Sequence, residues 1–450
     1  MNTKPVLIFA APVASRSGYG EHSRDILRSL IKINNKTNRY DIKVLPLRWG
    51  ITPLNALLPG KDDDILNLIL KTNVLDKKPD VSIQLTVPNE FNTIANFNIG
   101  ITAGIETTLC SPEWLEGLNR MDFNIVPSKF SEKVFKTTVY TKNIDNVKSE
   151  LRLNKPMYVL FEGVDLNQYG KNNKRVTNIK FEINKIKEDF LFLFVGHWLQ
   201  GELGADRKNV GMLIKVFLET FKTVPNTVQP PALLLKTGST FSKIEKEELK
   251  LKINLIRNSI ELKDNQILPN IYVVVGDLSA DEMNSLYNHT KVKSHITFTR
   301  GEGFCRPLLE ASLSEKIIIA PMFSGYLDFL PSDKCILLPG TLEQIHPSAV
   351  WKGVIEPESQ WFTVNYSVAA NSMMHVWKNY SSINERAKLL ELNTINNFSL
   401  DKMTEEFEKI LNNIPIITDI ILPEMILPEM ESLNVGAKLP KLIKIDNKNE

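Results

Sequence analysis

Short apolar runs alternate along the chain with stretches of mixed polar and apolar character. The runs are rich in Val, Ile and Leu and are continuous rather than alternating. That is the pattern of strands buried on both faces of a parallel sheet. It predicts strands at 6–10, 42–47, 81–85, 98–103, 123–126 and 158–161 in the first half, and at 190–195, 232–236, 271–275, 295–298, 317–320 and 335–338 in the second. Helical periodicity lies between them at 22–33, 210–221, 242–260, 281–287 and 307–314. Two such βα series, parted by an Asn- and Lys-rich stretch at 167–187, predict an α/β protein of two Rossmann-like, doubly wound parallel-sheet domains. They are expected at 1–170 and 171–390, facing across a cleft that binds the ligand. A late helical stretch at 389–410 predicts a helix over 391–412 that returns to the first domain. Ile-Leu-Pro-Glu-Met then occurs twice, and Pro423 and Pro428 forbid a continuous helix, so 413–450 is expected to be a tail or strap.

Composition narrows the class. A chain of 450 residues exceeds one ordinary core, which agrees with two domains. The apolar share of 43% and charged share of 24% fit a globular protein, and a formal charge of +2 argues against a dominant nucleic-acid footprint. Cys110, Cys305 and Cys335 have neither disulfide-framework nor zinc spacing, and no signal-peptide or membrane-spanning run is evident. A cytoplasmic protein is therefore expected. The lysine-rich 129–155 run reads as a solvated amphipathic face, with a surface for anionic lipid or phosphate as the alternative.

The most informative segment is Gly301-Glu302-Gly303-Phe304-Cys305-Arg306-Pro307-Leu308-Leu309-Glu310. It follows an expected strand and opens an expected helix, where Pro307 costs no hydrogen bond. Gly303 permits close backbone approach, and a helix start favours an anion. Glu302 and Glu310 are acceptors suited to vicinal hydroxyls. By themselves they are equally a helix start with two solvated acids.

This segment is similar to the Glu-x7-Glu donor motif of retaining GT-B glycosyltransferases, especially glycosyltransferase family 4. The resemblance continues through Glu315 to Ala320, Ser324-Gly325-Tyr326, Phe192 to Gly196, Arg207-Lys208-Asn209, Leu233 to Gly238 and Glu162-Gly163-Val164-Asp165. It implies that Glu310 holds the ribose hydroxyls of a nucleoside-diphosphate sugar and that Glu302 faces the sugar. Gly303 and Phe304 would offer backbone N–H groups, Lys208 would contact the diphosphate, and Gly196, Lys236, Cys305 and Gly325 would line the donor site. Lys129 and Phe130 match a segment that faces the cleft. Where the family often has Arg after the strand glycine, this chain has His197 and Trp198, and Arg207 is the candidate second cation. Cys305 stands where Gly is usual and reads as a structural thiol.

The implied chemistry is hexose transfer from a nucleotide sugar, UDP favoured, to a hydroxyl, with retention and with neither cofactor nor metal. Charge growing on the leaving diphosphate calls for positioned cations and N–H groups. Asp62-Asp63-Asp64 fits Asp-x-Asp but reads better as helix-capping acids. The Ser-Arg-Ser-Gly-Tyr-Gly turn suggests that Gly18 and Gly20 line the donor site, with a plain strand–helix turn as the alternative. Glu106 stands near where the family places a histidine and is the candidate acceptor base, or a cap of the 112–118 helix; His22 is the second choice. Trp49, Trp114, Trp198 and Trp361 suit either stacking on a ligand or core packing. The wording of the chain also resembles glycosyltransferases of large tailed bacteriophages, which implies a hydroxymethylated DNA base or a surface glycan as acceptor. The competing readings are a nucleotide-sugar epimerase or phosphorylase-like enzyme on the same fold, and a non-catalytic sugar-nucleotide-binding protein.

Overall fold

The computed structural model describes residues 4–72, 74–144, 147–171, 177–198, 201–237 and 244–415, with the strands Met425–Ile426 and Lys441–Lys444. The chain forms two compact units. The first comprises Met1–Gly163, Lys352–Glu356 and Phe398–Ala437, and the second comprises Val164–Trp351, Pro357–Asn397 and Lys438–Glu450.

In the first unit six strands form one parallel sheet: β1 (Val6–Ala11), β2 (Asp41–Pro46), β3 (Val81–Leu85), β4 (Phe97–Ile101), β5 (Phe123–Val126) and β6 (Met157–Val159), in the order β2-β1-β3-β4-β5-β6. Each coincides with an apolar run. Leu7, Phe9, Val81, Ile83, Ile99 and Ile125 are buried in its core. Helix α1 (Gly18–Thr37) exceeds the expected 22–33 at both ends. The Ser17 hydroxyl caps its start by accepting from Gly20 N–H, and Asn38, at φ 51°, ends it in the left-handed region. Helix α2 (Pro112–Arg120) follows β4. The lysine-rich run becomes the helix Lys129–Thr137, which exposes Lys129, Lys133 and Lys136 and buries Val134 and Phe135, and then an antiparallel hairpin of Tyr140–Ile144 with Val147–Leu151.

The second unit repeats the plan with β7 (Leu191–Val195), β8 (Ala232–Thr237), β9 (Ile271–Val275), β10 (Val292–Ile296), β11 (Ile317–Pro321) and β12 (Ile336–Leu338). Their order is β12-β11-β10-β7-β8-β9, and Lys441–Lys444 adds antiparallel to β9. Helix α3 (Val210–Phe221) packs Leu213, Ile214, Phe217 and Phe221 onto Phe192 and Phe194 of β7. Helix α4 (Arg306–Ser312) follows β10. An antiparallel hairpin of Gly340–Gln344 with Gln360–Val364 leads into α5 (Tyr366–Ile383) and α6 (Glu385–Asn397).

Three expectations need correction. Strand β10 lies at 292–296 rather than 295–298: Phe298 is buried, but it packs in the core after the chain has left the sheet. The crossover falls at 163/164 rather than near 170, because 164–170 is tied into the second unit. Gly170 exchanges hydrogen bonds with Asn284 at 2.9 and 3.1 Å, and Gln168 donates to Asp281 at 2.7 Å. The late helix is not one element. It breaks at 398–399, where the Ser399 hydroxyl caps α7 (Leu400–Leu411) from Lys402 N–H. Helix α6 belongs to the second unit. Helix α7 packs Met403, Phe407 and Leu411 into the first unit's core, and its Thr404 hydroxyl bonds Ser29 of α1 at 2.8 Å. Apart from Met425–Ile426, which pairs with Val74–Leu75, and Lys441–Lys444, the expected tail beyond 415 lies outside the described residues, as does Gly238.

Candidate functional site

The strand order of the second unit locates its site. Between β7 and β10 the connections depart in opposite directions, and at such a switch point ligands bind beyond the carboxyl ends of the strands. Residues 196–209 leave the end of β7 and residues 297–305 leave the end of β10. These two segments bring Arg207, Lys208 and Glu302 together.

Glu302 is 7% exposed and fully engaged. Lys208 donates to its Oε1, Thr299 Oγ1 donates to the same oxygen at 2.5 Å, and Arg207 Nη1 donates to Oε2 at 3.2 Å. Its backbone N–H reaches Ser324 Oγ at 3.1 Å, and its C=O accepts from Gly325 N–H at 3.0 Å. Burial would raise the Glu302 carboxyl, but Lys208 and Arg207 overcome it and hold the group down at about 2. Glu302 is therefore an anion at any ordinary pH, clamped between two cations.

The clamp is itself held. Arg207 also donates to Gly301 C=O at 3.0 Å, and its own C=O accepts from Arg300 N–H at 2.8 Å. Arg300 is buried, bonds Thr363 and Gly204, and lies 4.8 Å from the centre of the Trp361 ring. Among the described residues, three of the six non-glycine residues with positive φ surround Glu302: Asn209 at 52°, Cys305 at 79° and Ser324 at 80°. Such backbone persists only where its surroundings over-determine it, and it gathers at functional sites.

Around this centre lie the other expected donor residues. Lys236 is the penultimate residue of β8, and its C=O accepts from Gly196 N–H at 3.0 Å. His197 has an exposed side chain. Desolvation and the cations Lys236, Lys208 and Arg207 together lower its imidazole to about 4; for an exposed ring the cations are the weightier cause. The site thus has three fixed positive charges beside a neutral imidazole. Glu310 is buried, with Oε2 accepting from Tyr287 at 3.0 Å and Oε1 3.8 Å from Arg306 Nε. Cys305 takes the left-handed N-cap position of α4, and burial with the Glu302 charge pushes its thiol up to about 12, so it is an inert thiol. The Phe304 side chain is buried against Phe329, 5.0 Å between ring centres, which leaves only its backbone for a ligand.

The first unit has its own cluster beyond β1 and β4. Gly20 is explained by packing, since a Cβ there would sit 2.1 Å from Ser15 C=O; Gly18 would meet nothing within 4 Å. Tyr19 stacks on Trp49 at 3.9 Å, its hydroxyl 3.0 Å from Thr102 Oγ1 and accepting from Ala103 N–H at 3.2 Å. Burial pushes the Tyr19 phenol far up, and the charges of Glu106 and Glu162 add to this. Glu106 is half-buried and does not cap α2, whose N-cap is Ser111. His22 is buried, with Nδ1 3.9 Å from Glu162 Oε2. Trp114 and Trp361 are core residues. Asp62 and Asp64 pair with Arg28, while Asp62 and Asp63 accept from Leu58 and Gly60 N–H at 2.8 Å. Among the described residues no group of three or more His, Cys, Asp or Glu side chains is placed to hold a metal, and no helix is long and apolar enough to cross a membrane.

No protein-family model and no curated protein sequence matches the chain. Solved structures do. Sucrose-phosphate synthase from Thermosynechococcus elongatus aligns with a TM-score of 0.55 at 12% identity, over 91% of this chain and 98% of that one. HepE from Anabaena, in complex with UDP-glucose, aligns at 0.54 and 12% identity, over 91% and 100%. A trehalose-6-phosphate synthase, from work on glycosyltransfer with retention, aligns at 0.55 and 11% identity, over 91% and 99%. At such identities the likeness is one of fold. The chain has the GT-B fold.

Within this GT-B fold several residues of the two clusters carry no site role in the sequence reading, although Tyr19, Glu162 and Ser324 lie in its motif segments. Thr299, Ser324 and Tyr287 touch the two acids, and Tyr19, Thr102 and Glu162 surround His22 and Glu106. Thr299 was open to detection, three residues before Glu302 on the same loop. Tyr287 and Glu162 reach their partners only through tertiary packing, for which one sequence carries no signal.

Proposed function

We propose that this chain is a glycosyltransferase that moves a hexose from a nucleoside-diphosphate sugar, UDP favoured, to a hydroxyl acceptor, with retention and without a metal. The clamp of Glu302 between Lys208 and Arg207, at the switch point beneath α4, is the observation that carries this reading. It is supported by the likeness in fold to HepE, which was crystallised with UDP-glucose, and to a trehalose-6-phosphate synthase studied for transfer with retention.

In the proposed reaction the bond from the anomeric carbon to the diphosphate oxygen breaks and a bond to the acceptor oxygen forms on the same face. Negative charge gathers on the departing diphosphate. Lys208, Arg207 and Lys236 offer fixed positive charge there, and the backbone N–H groups near Gly303 and Phe304 add dipoles without reorganisation. Glu302, ionised and immobile, is assigned to the hydroxyls of the sugar, and Glu310, steadied by Tyr287, to those of the ribose. Glu106 is assigned to orient the acceptor hydroxyl, whose proton leaves with the diphosphate or through that carboxylate. A hydroxymethylated base in phage DNA or a surface glycan are the acceptors to be tried first.

The test is incubation with UDP- and GDP-sugars and each acceptor class, with and without EDTA, followed by NMR of the product anomer. Transfer with retained configuration, undiminished by EDTA, is expected. An inverted product, or loss of transfer in EDTA, overturns the corresponding part of the proposal.

A further inference from the structure

The second unit holds another cavity, at the opposite edge of its sheet. Ile317 and Ile336 open β11 and β12, so this cavity lies at the amino ends of the strands, whereas Glu302 and Ser324 follow the carboxyl ends of β10 and β11. The length of β11, roughly 16 Å at ~3.3 Å per residue, separates them. The cavity measures about 370 Å³, within the range of small-molecule sites.

Its walls differ from those of the first site. Ile317, Ile336 and Ile383 make an apolar floor, and Cys335 beneath it is a buried thiol pushed up to about 12 by desolvation and the nearby Asp333. Lys334 and Arg386 stand at the rim, and α5 contributes Asn371 and Ser372. No Asp or Glu occurs in the eighteen residues of α5. The acids closest in sequence are Asp333, 2.9 Å from Lys334 and largely exposed, and Glu385, engaged by Lys388 at 2.7 Å. Arg386 has no salt bridge within 4.0 Å among the described residues, although its charge, after that of Lys334, helps to hold the Asp333 carboxyl below its ordinary value. The balance at the rim is cationic above an apolar pit, which complements a small molecule with one anionic end and one apolar end.

We propose that this cavity binds a small amphiphilic anion, a carboxylate or phosphate head on an apolar body, with its head at Arg386 and Lys334 and its body over the isoleucines. The site is independent of the proposed transfer. It is tested by thermal shift and calorimetry on the full chain with octanoate, octyl phosphate and the neutral octanol, using Arg386→Gln and the cavity-blocking Ser372→Trp. We expect a saturable rise in melting temperature with octanoate or octyl phosphate and none with octanol; which of the two acts identifies the head group. Affinity falls about tenfold in Arg386→Gln, the loss of one charge-assisted hydrogen bond. Because Arg386 is exposed, that variant keeps the wild-type fold even if Ser372→Trp does not. No saturable binding of either anion, equal binding of octanol, or binding undiminished in Arg386→Gln overturns the proposal.

Discussion

Lys208 donates its ammonium hydrogen bond to Oε1 of Glu302, a residue 94 positions further along the chain. Neither partner is fully buried, yet each has only a tenth to a sixth of its side chain in contact with solvent. Removing one side of such a pair exposes the other to its desolvation cost. We therefore expect Lys208→Ala to destabilise the protein by about 2 kcal/mol, less than the ~3–5 kcal/mol of a fully isolated buried charge because Arg207 remains. Transfer should fall about 10²–10³-fold. The double variant Lys208→Met/Glu302→Gln should regain stability without regaining transfer, as chemical denaturation and steady-state rates together would show.

The charge state of Glu302 sets an acid limit. Its carboxyl is held at about 2, below the ordinary 4.5, so the folded protein binds that proton less readily than the unfolded chain. The stability it contributes is present above the ordinary value and is lost as pH falls from about 4.5 towards 2. Glu302→Gln should flatten the melting-temperature profile in that window and leave its shape above pH 6 unchanged. An unaltered acid limb in the variant would contradict the assigned cause.

Glu391 works in the opposite sense. Burial, then the charge of Glu315, raise its carboxyl to about 7. The folded state then holds a proton that the unfolded chain has released, so this stabilising contribution is present at low pH and is lost as pH rises from about 4.5 to 7. Glu391→Gln should raise the melting temperature at pH 8 relative to wild type and make little difference at pH 4. A lower melting temperature at pH 8 would count against the shift.

Gly18 and Gly20 separate two roles that one motif left joined. An alanine at Gly20 meets Ser15 C=O at 2.1 Å, so Gly20→Ala should cost about 1–3 kcal/mol through overpacking. An alanine at Gly18 meets nothing within 4 Å, so its stability should stay at wild type. If Gly18→Ala nevertheless weakens transfer, the glycine serves a ligand; unchanged transfer reduces it to a turn residue.

Cys305 occupies a position that favours glycine, at φ 79°. Cys305→Gly should relieve about 1 kcal/mol of backbone strain and raise the melting temperature, whereas Cys305→Ala keeps the strain and should not.

Much of the fold was legible because both sheets are buried on both faces. Twelve continuous apolar runs mark the twelve parallel strands, and the reading erred where burial and strand pairing part company, as at Phe298. The break between α6 and α7 was open to detection, since Ser399 followed by Leu400 and Asp401 is a helix-start pattern. The hairpin of Gly340–Gln344 with Gln360–Val364 was not, because its first strand is largely exposed and carries little apolar signal. At the site, the segments that carry Glu302, Lys208 and Arg207 stand out in the sequence, and the fold brings the three side chains into contact. Glu106 and His22 were placed only roughly: their surroundings are built by Tyr19, Thr102 and Glu162, which converge from three distant parts of the chain.

The central claim is that the Glu302–Lys208 centre is a nucleoside-diphosphate site. Calorimetric titration of UDP and GDP into wild type, Lys208→Ala and Glu310→Ala tests it without knowledge of the acceptor. We expect one diphosphate per chain, UDP the tighter, with affinity reduced about tenfold or more in each variant through loss of a charged hydrogen bond. Absence of binding by both nucleotides, or wild-type affinity in folded Lys208→Ala and Glu310→Ala, would contradict it.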